Sequence, residues 1–314
     1  MAFGNAPGDC KAQSGSTFVA VCEANAGDST IEKVRSLISD PLTDENSAVA
    51  IEITLKSGRR DYIVHQSPAA ATPVTVASAK SNVAAEFAKW SLDEQGGLIG
   101  ATLLGGTSLE LPDLKLALPQ SHFTGRITRI DYDRSILYTD ADLPASKRRN
   151  QFITLTNPAY SRGTTYRVAE IGPRQDNLTP IHLAPTSFVT GRGHMDDAPA
   201  AGTLPNLVPL EYAKSLSHKS TGFYRGKLLT TPDRSRSTTI KDIDGATGAT
   251  ITVSDASGFR AADDLVIWDL QPGDTFDIPA IAHLTRASDG TLIYQGNTPA
   301  TLTDNNHTTD LRPQ

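Results

Sequence analysis

Cysteine is nearly absent from this sequence. Cys10 and Cys22 are the only two in 314 residues, too few for a small disulfide-built scaffold. If residues 10–22 form a hairpin turning at Ser14-Gly15-Ser16, the two thiols lie close together at its open end. They are then either bonded to each other or buried as thiols. No CxxC, HExxH or paired Cys/His spacing occurs, so nothing offers zinc its four ligands. Long apolar runs are missing too: none approaches the roughly 20 residues that a bilayer-crossing helix needs. The opening MAFGNAPGDC has no charged start followed by an apolar stretch, so no signal peptide is read there. Taken literally this gives a cytoplasmic chain, and a segment cut from a longer secreted or periplasmic protein would read the same.

A basic excess is lacking as well. The formal net charge is -6, against a general nucleic-acid binder, whose footprint is positive; Lys147, Arg148 and Arg149 form one small basic cluster. Familiar catalytic signatures fail on spacing. Gly222 to Lys227 (GFYRGK) does not fit a phosphate-binding loop, and no Ser or Thr follows the lysine. No GxSxG elbow is present.

What the chain does have is β pattern. With 38% hydrophobic and 20% charged residues it reads as folded. The densest patterning lies between Phe123 and Ile171. Arg126–Tyr132 and Ser135–Asp140 flank a turn at Asp133-Arg134, and Gln151–Asn157 and Thr165–Ile171 flank Ser161-Arg162-Gly163, giving two hairpins. Val49–Leu55 alternates cleanly, turns at Lys56–Arg59 and returns as Asp61–His65. Val83–Trp90 fits helix or strand and is taken as strand. Gly96-Gly97 and Gly105-Gly106 bracket one short apolar strand, and Leu109–Leu118 adds another. Further strands are expected at Thr17–Glu23, Ile181–Val189, Phe223–Leu229, Thr250–Val253, Leu265–Trp268, Phe276–Ile278 and Leu292–Tyr294. One short helix is expected after the Ser29-Thr30-Ile31-Glu32 capping box, with Ile31, Val34, Leu37 and Ile38 on one face before Pro41. Residues 67–81 read as a loop or weak strand, 191–206 as a long loop, and the tail from Asn297 as frayed.

Short strands with turn signals about every 10 residues predict an all-β protein of antiparallel sandwiches. A β-helix would give similar strands but requires a fixed repeat, which is absent. Pro119-Gln120-Ser121 is the expected boundary, giving a β-sandwich domain over 1–118 and a second β-rich domain over 119–314.

Candidate chemistry lies in the aromatic and cationic set Tyr132, Tyr138, Tyr160, Arg162, Tyr166 and Arg167. Sugar rings stack on aromatic faces, and uronate carboxylates suit arginine; the same tyrosines also serve as ordinary strand residues with the hydroxyl at the rim of a core. Trp90 and Trp268 are read as core residues. His122 as base and Tyr160 as acid are the candidate pair for a β-elimination; a surface histidine before a strand is the plainer reading of His122. Asp196-Asp197 and Asp263-Asp264 are read as solvated turn carboxylates, with calcium as the alternative. No cofactor is expected.

Several segments together resemble a known family. Gly4-Asn5-Ala6-Pro7-Gly8-Asp9, the run Gly58-Arg59-Arg60-Asp61-Tyr62, and Gly125-Arg126-Ile127 leading to Ile130-Asp131-Tyr132 look like the C-terminal part of heparinase II/III-like polysaccharide lyases. Asn157-Pro158 with Arg162, Thr165 and Tyr166 fits the same pattern. In that family a helical toroid carries most of the catalytic machinery, and β-sheet domains follow it and help form the substrate cleft. No run of amphipathic helices precedes the β region here, so the toroid's catalytic His and Tyr have no counterparts and none is carried over. The resemblance implies association with an anionic polysaccharide. The expectation is therefore an accessory β region that binds acidic glycan without cleaving it. The alternatives are a lyase using a Tyr/His pair and a structural domain that docks on a missing N-terminal catalytic domain. No nucleic-acid or membrane partner is expected.

Overall fold

The computed structural model describes residues 21–23, 27–37, 48–66, 73–147, 151–195, 197–200, 202–205, 222–243, 250–304 and 307–313. Within these the chain is all-β, with antiparallel strand pairing throughout. The predicted strand at Thr17–Glu23 falls largely outside the described residues, and 21–23 are not in a strand. Cys10 also lies outside them; Cys22 is exposed.

Contacts divide the chain into two units: residues 1–121 with 280–314, and residues 122–279. The expected break at Pro119–Ser121 lies at the first crossing. The return at Ala280 has no such punctuation in the sequence, and the final segment joins the first unit by strand pairing.

The first unit begins with β1 (Ile31–Ser36), β2 (Val49–Leu55), β3 (Arg60–His65), β4 (Val74–Val76), β5 (Ser81–Leu92), β6 (Leu98–Leu111) and β7 (Leu114–Ala117). The chain then builds the second unit from β8 (His122–Asp131), β9 (Ile136–Thr139), β10 (Gln151–Thr156), β11 (Thr164–Ile171), β12 (Thr179–Leu183) and β13 (Val189–His194). It continues there through β14 (Thr203–Pro205), β15 (Leu228–Thr230), β16 (Ser237–Ile243), β17 (Thr250–Val253), β18 (Asp264–Trp268) and β19 (Thr275–Pro279). It returns to the first unit as β20 (Ile281–Arg286), β21 (Leu292–Gly296), β22 (Ala300–Asp304) and β23 (His307–Leu311).

In the first unit one sheet runs β1-β2-β3-β5-β6-β7-β22-β23, with β4 on β5 and the β20/β21 hairpin on β6. Tyr62 and Trp90, opposite one another in the β3/β5 register, stack at 5.1 Å and 9° in its core. Trp90 is thus a core residue, as the sequence predicts.

Three expectations in this unit are corrected. Ile31–Ser36 is a strand, not a helix. The capping-box hydroxyls are taken by Glu23: Ser29 Oγ donates to its carboxylate at 2.5 Å and Thr30 Oγ1 donates there too, with the Thr30 backbone N–H at 2.8 Å. So short a helix has little stability of its own, whereas β1 gains the hydrogen bonds of β2. Gly105-Gly106 does not end a strand but sits inside β6, at a bulge against Ala84 and Ala85. A Cβ on Gly106 would lie 2.3 Å from the Ala85 Cβ, so only glycine permits this approach. Residues 67–81, read as a loop or weak strand, agree with that reading where they are described: Val74–Val76 pairs as a short strand on β5. The described residues of the tail, 297–304 and 307–313, do not fray: Asn297 and Thr298 are buried, and β22 pairs with both β7 and β23. Threonine-rich segments look polar, yet β-branching suits them to a half-buried sheet.

The second unit contains a closed barrel, β10-β11-β12-β9-β8-β19, and a six-stranded sheet, β13-β18-β15-β16-β17-β14. Both hairpins predicted between Arg126 and Ile171 form, as β8/β9 and β10/β11. The barrel is filled by Ile127, Leu137, Ile153, Leu155, Val168 and Ile181 among others, and the sheet buries Leu229, Ile240, Ile251 and Ile267. Closure satisfies every edge, which an open sandwich sheet leaves exposed. Three element boundaries are corrected here. Within the predicted 191–206 loop, residues to His194 belong to β13 and 203–205 to β14. The strand predicted to run from Ile181 to Val189 stops at Leu183. Residues 222–224 form a 3-10 turn, and the strand predicted at Phe223–Leu229 begins only at Leu228, because Gly226 turns the chain at φ +78° against Ala159.

Candidate functional site

Strand alternation explains the outer face of the barrel. In β10, Gln151, Ile153 and Leu155 are buried, which sends Phe152, Thr154 and Thr156 outward. In β11, Thr165 and Arg167 are exposed opposite Thr154 and Phe152. In β19, Asp277 faces Thr154 on one side and Thr124 on the other, and Thr275 lies between Thr156 and Arg126. Side chains paired across antiparallel strands share a face. Two hydroxyl contacts agree with this phase: Thr154 to Thr165 at 3.0 Å, and Thr156 to Thr275 at 2.9 Å.

Four neighbouring strands, β11, β10, β19 and β8, thus present a surface about 15 Å across at the usual strand spacing. Phe152 is its aromatic element and is 49% exposed. Arg167 stands directly across from it, and Arg126 occupies the far strand. Neither guanidinium forms an ion pair among the described residues. His122 is on the same face, its Nδ1 2.8 Å from Asp277 Oδ1, which orients the ring. Around the barrel, Arg129 lies 3.9 Å over the ring of Tyr138, its partner in the β8/β9 register.

The other predicted tyrosines have their hydroxyls on interior acceptors. Tyr132 donates to Leu270 O at 3.1 Å and its ring packs 4.3 Å from that of Trp268, which is buried as expected. Tyr160 donates to both carboxylate oxygens of Asp274 at 3.0 Å. Tyr166 donates to Asp269 Oδ2 and meets Phe188 edge to face. Burial raises the pKa of all three phenols, and neighbouring carboxylates push in the same direction. Arg162 is exposed, 4.9 Å over the ring of Phe223. His122 and Tyr160 therefore bond different carboxylates, Asp277 and Asp274.

Behind these tyrosines lies a buried polar cluster. Lys227 is 0% exposed and donates to Asp269 Oδ1 at 2.7 Å. Asp274, also 0% exposed, accepts from Asn157 Nδ2 at 2.9 Å, Gln271 N at 3.0 Å and Tyr160. Desolvation raises its pKa, and these hydrogen bonds and the Lys227 charge oppose that rise.

Both members of the Asp263-Asp264 pair have protein partners. Asp263 is held by Arg236 at 2.6 and 2.8 Å, and Asp264 meets His194 Nδ1 at 2.8 Å. Asp196 lies outside the described residues, as do Arg148 and Arg149. Lys147 is 3.9 Å from Glu170. Among the described residues no cluster of three His, Cys, Asp or Glu side chains offers a metal site.

Sequence reasoning missed Phe152, Lys227, Asp269 and Asp274. Phe152 had a legible signal, since a phenylalanine on the polar phase of an alternating strand is out of place unless its face has a use. The buried charges had none, because Lys227 fell in an expected strand at Phe223–Leu229 and nothing in 269–274 distinguished its aspartates from solvated turn carboxylates. No protein-family model and no curated protein matches this sequence.

Proposed function

We propose that the chain is a non-catalytic, glycan-binding β region of a polysaccharide-degrading protein of heparinase II/III-like type, and that the outer face of the barrel carries the contact. The observation that supports this most is Phe152, half-exposed on a closed barrel beside Arg167, whose guanidinium forms no ion pair among the described residues. An aromatic ring takes the apolar face of a sugar, and a guanidinium takes a uronate carboxylate as a bidentate pair. The threonine hydroxyls and His122 supply further contacts to sugar hydroxyls. A binding rather than cleaving role is supported by the phenols: Tyr132, Tyr160 and Tyr166 each donate to an interior acceptor, so none stands ready on this face as a proton donor.

The test is affinity electrophoresis of the whole chain against uronate-containing and neutral polysaccharides, with ultraviolet absorbance of unsaturated uronate followed in parallel. Retardation by the acidic glycans without new absorbance, reduced about tenfold or more by Phe152→Ala and by Arg167→Ala, is expected. New absorbance would make the chain a lyase. Neither signal would leave docking on a catalytic domain as the reading.

A further inference from the structure

Lys227 is the one lysine or arginine of the described residues that is fully buried, and register places its partner. It directly precedes β15, and Asp269 directly follows β18. Leu228 is opposite Trp268, so the next rung sets Lys227 against Asp269. Nζ donates to Asp269 Oδ1 at 2.7 Å and to Asp269 O at 2.6 Å. Thr164 Oγ1 donates to the same Oδ1 at 3.2 Å, while the Tyr166 hydroxyl donates to Oδ2. The ring centroids of Tyr160 and Phe223 lie 3.9 and 5.1 Å from Nζ.

We propose that Lys227 and Asp269 condense within the folded unit into an amide cross-link between Nζ and Cγ. One proton first passes from the Lys227 ammonium to Oδ1, which frees the Nζ lone pair and neutralises the carboxyl. Nζ then attacks Cγ, and as the N–C bond forms and the Cγ–Oδ1 bond breaks a second proton passes from nitrogen to Oδ1, which leaves as water; Oδ2 remains as the amide oxygen. No oxidant, reductant or activating group is consumed. The arrangement suits each step. Nucleophile and carboxyl are already in hydrogen-bond contact, which replaces a bimolecular encounter. Tyr166 stabilises the charge that develops on Oδ2. The aromatic cover keeps water from driving the reverse reaction. The product also removes two buried charges whose desolvation is costly.

Intact-mass spectrometry of the purified chain decides the matter. The expected mass is lower than that of the sequence by one water, and a tryptic fragment should join the peptide containing Lys227 to that containing Asp269. Lys227→Arg and Asp269→Ala should have their full mass, and Tyr166→Phe should acquire the link about 100-fold more slowly. Full mass in the folded wild-type chain after prolonged incubation overturns the proposal, as does a water loss that maps elsewhere. The wild-type mass answers the question even where a variant fails to fold, and it is independent of glycan binding.

Discussion

Phe152 and Arg167 stand directly opposite one another on β10 and β11, with their backbones locked into the barrel and their side chains outside it. Residues in that position contribute little to the core. Phe152→Ala should therefore lower unfolding free energy by at most about 1 kcal/mol, since half of the ring is already in water. Arg167→Ala should change it by no more than about 0.5 kcal/mol. Urea denaturation of both variants checks this, and a large loss would assign the pair to stability instead of recognition. Glycan retention by the wild type should also weaken as salt rises, because the guanidinium contacts are solvent-exposed.

Asp274 contrasts with that surface pair. Three donors converge on it inside the second unit, so removing the acceptor strands all of them. Asp274→Ala should cost about 3 kcal/mol or more, and Tyr160→Phe about 1 kcal/mol. Thermal or urea unfolding measures both. Equal, small effects would mean that water reaches the cluster.

The same carboxylate gives a pH signature. Its folded pKa is raised by burial, so between the ordinary carboxylate value and that raised value the folded state holds a proton that the unfolded state has lost. Its contribution to stability is thus greatest in acid and declines as pH rises through that window. Asp233 works in the opposite sense: hydroxyl and backbone donors lower it to about 2, so its contribution is present above the ordinary value and lost as pH falls towards about 2. The stability of Asp274→Asn relative to wild type should therefore improve with rising pH. Urea midpoints taken across the acidic range test the slope, and a flat difference rules out the assignment.

Strands were legible wherever alternation was clean, as in Val49–Leu55, or where a turn of Asp, Ser or Gly separated two β-branched runs, as at Ser161–Gly163. Legibility failed where packing, not composition, decided the outcome. Ser237–Ile243 and Ile281–Arg286 are strands because neighbours offer them hydrogen bonds, and Gly105-Gly106 continues a strand because a neighbour's backbone comes close. For the candidate site, the sequence marked tyrosines as an aromatic cluster but could not show that their hydroxyls end on Asp269 and Asp274. Those two aspartates lie more than a hundred positions beyond Tyr160 and Tyr166, in the connection from β18 to β19, and only the tertiary fold of the second unit brings them near.

Because the chain leaves the first unit after Ser121 and re-enters it at Ala280, that unit's sheet cannot be completed until everything between has been synthesised. β6 and β7 must wait for β20 and β22 with unpaired edges. The barrel and its companion sheet have no such dependence, so the second unit should mature first on the ribosome, and the half-built sheet is the part that needs protection from aggregation in the meantime.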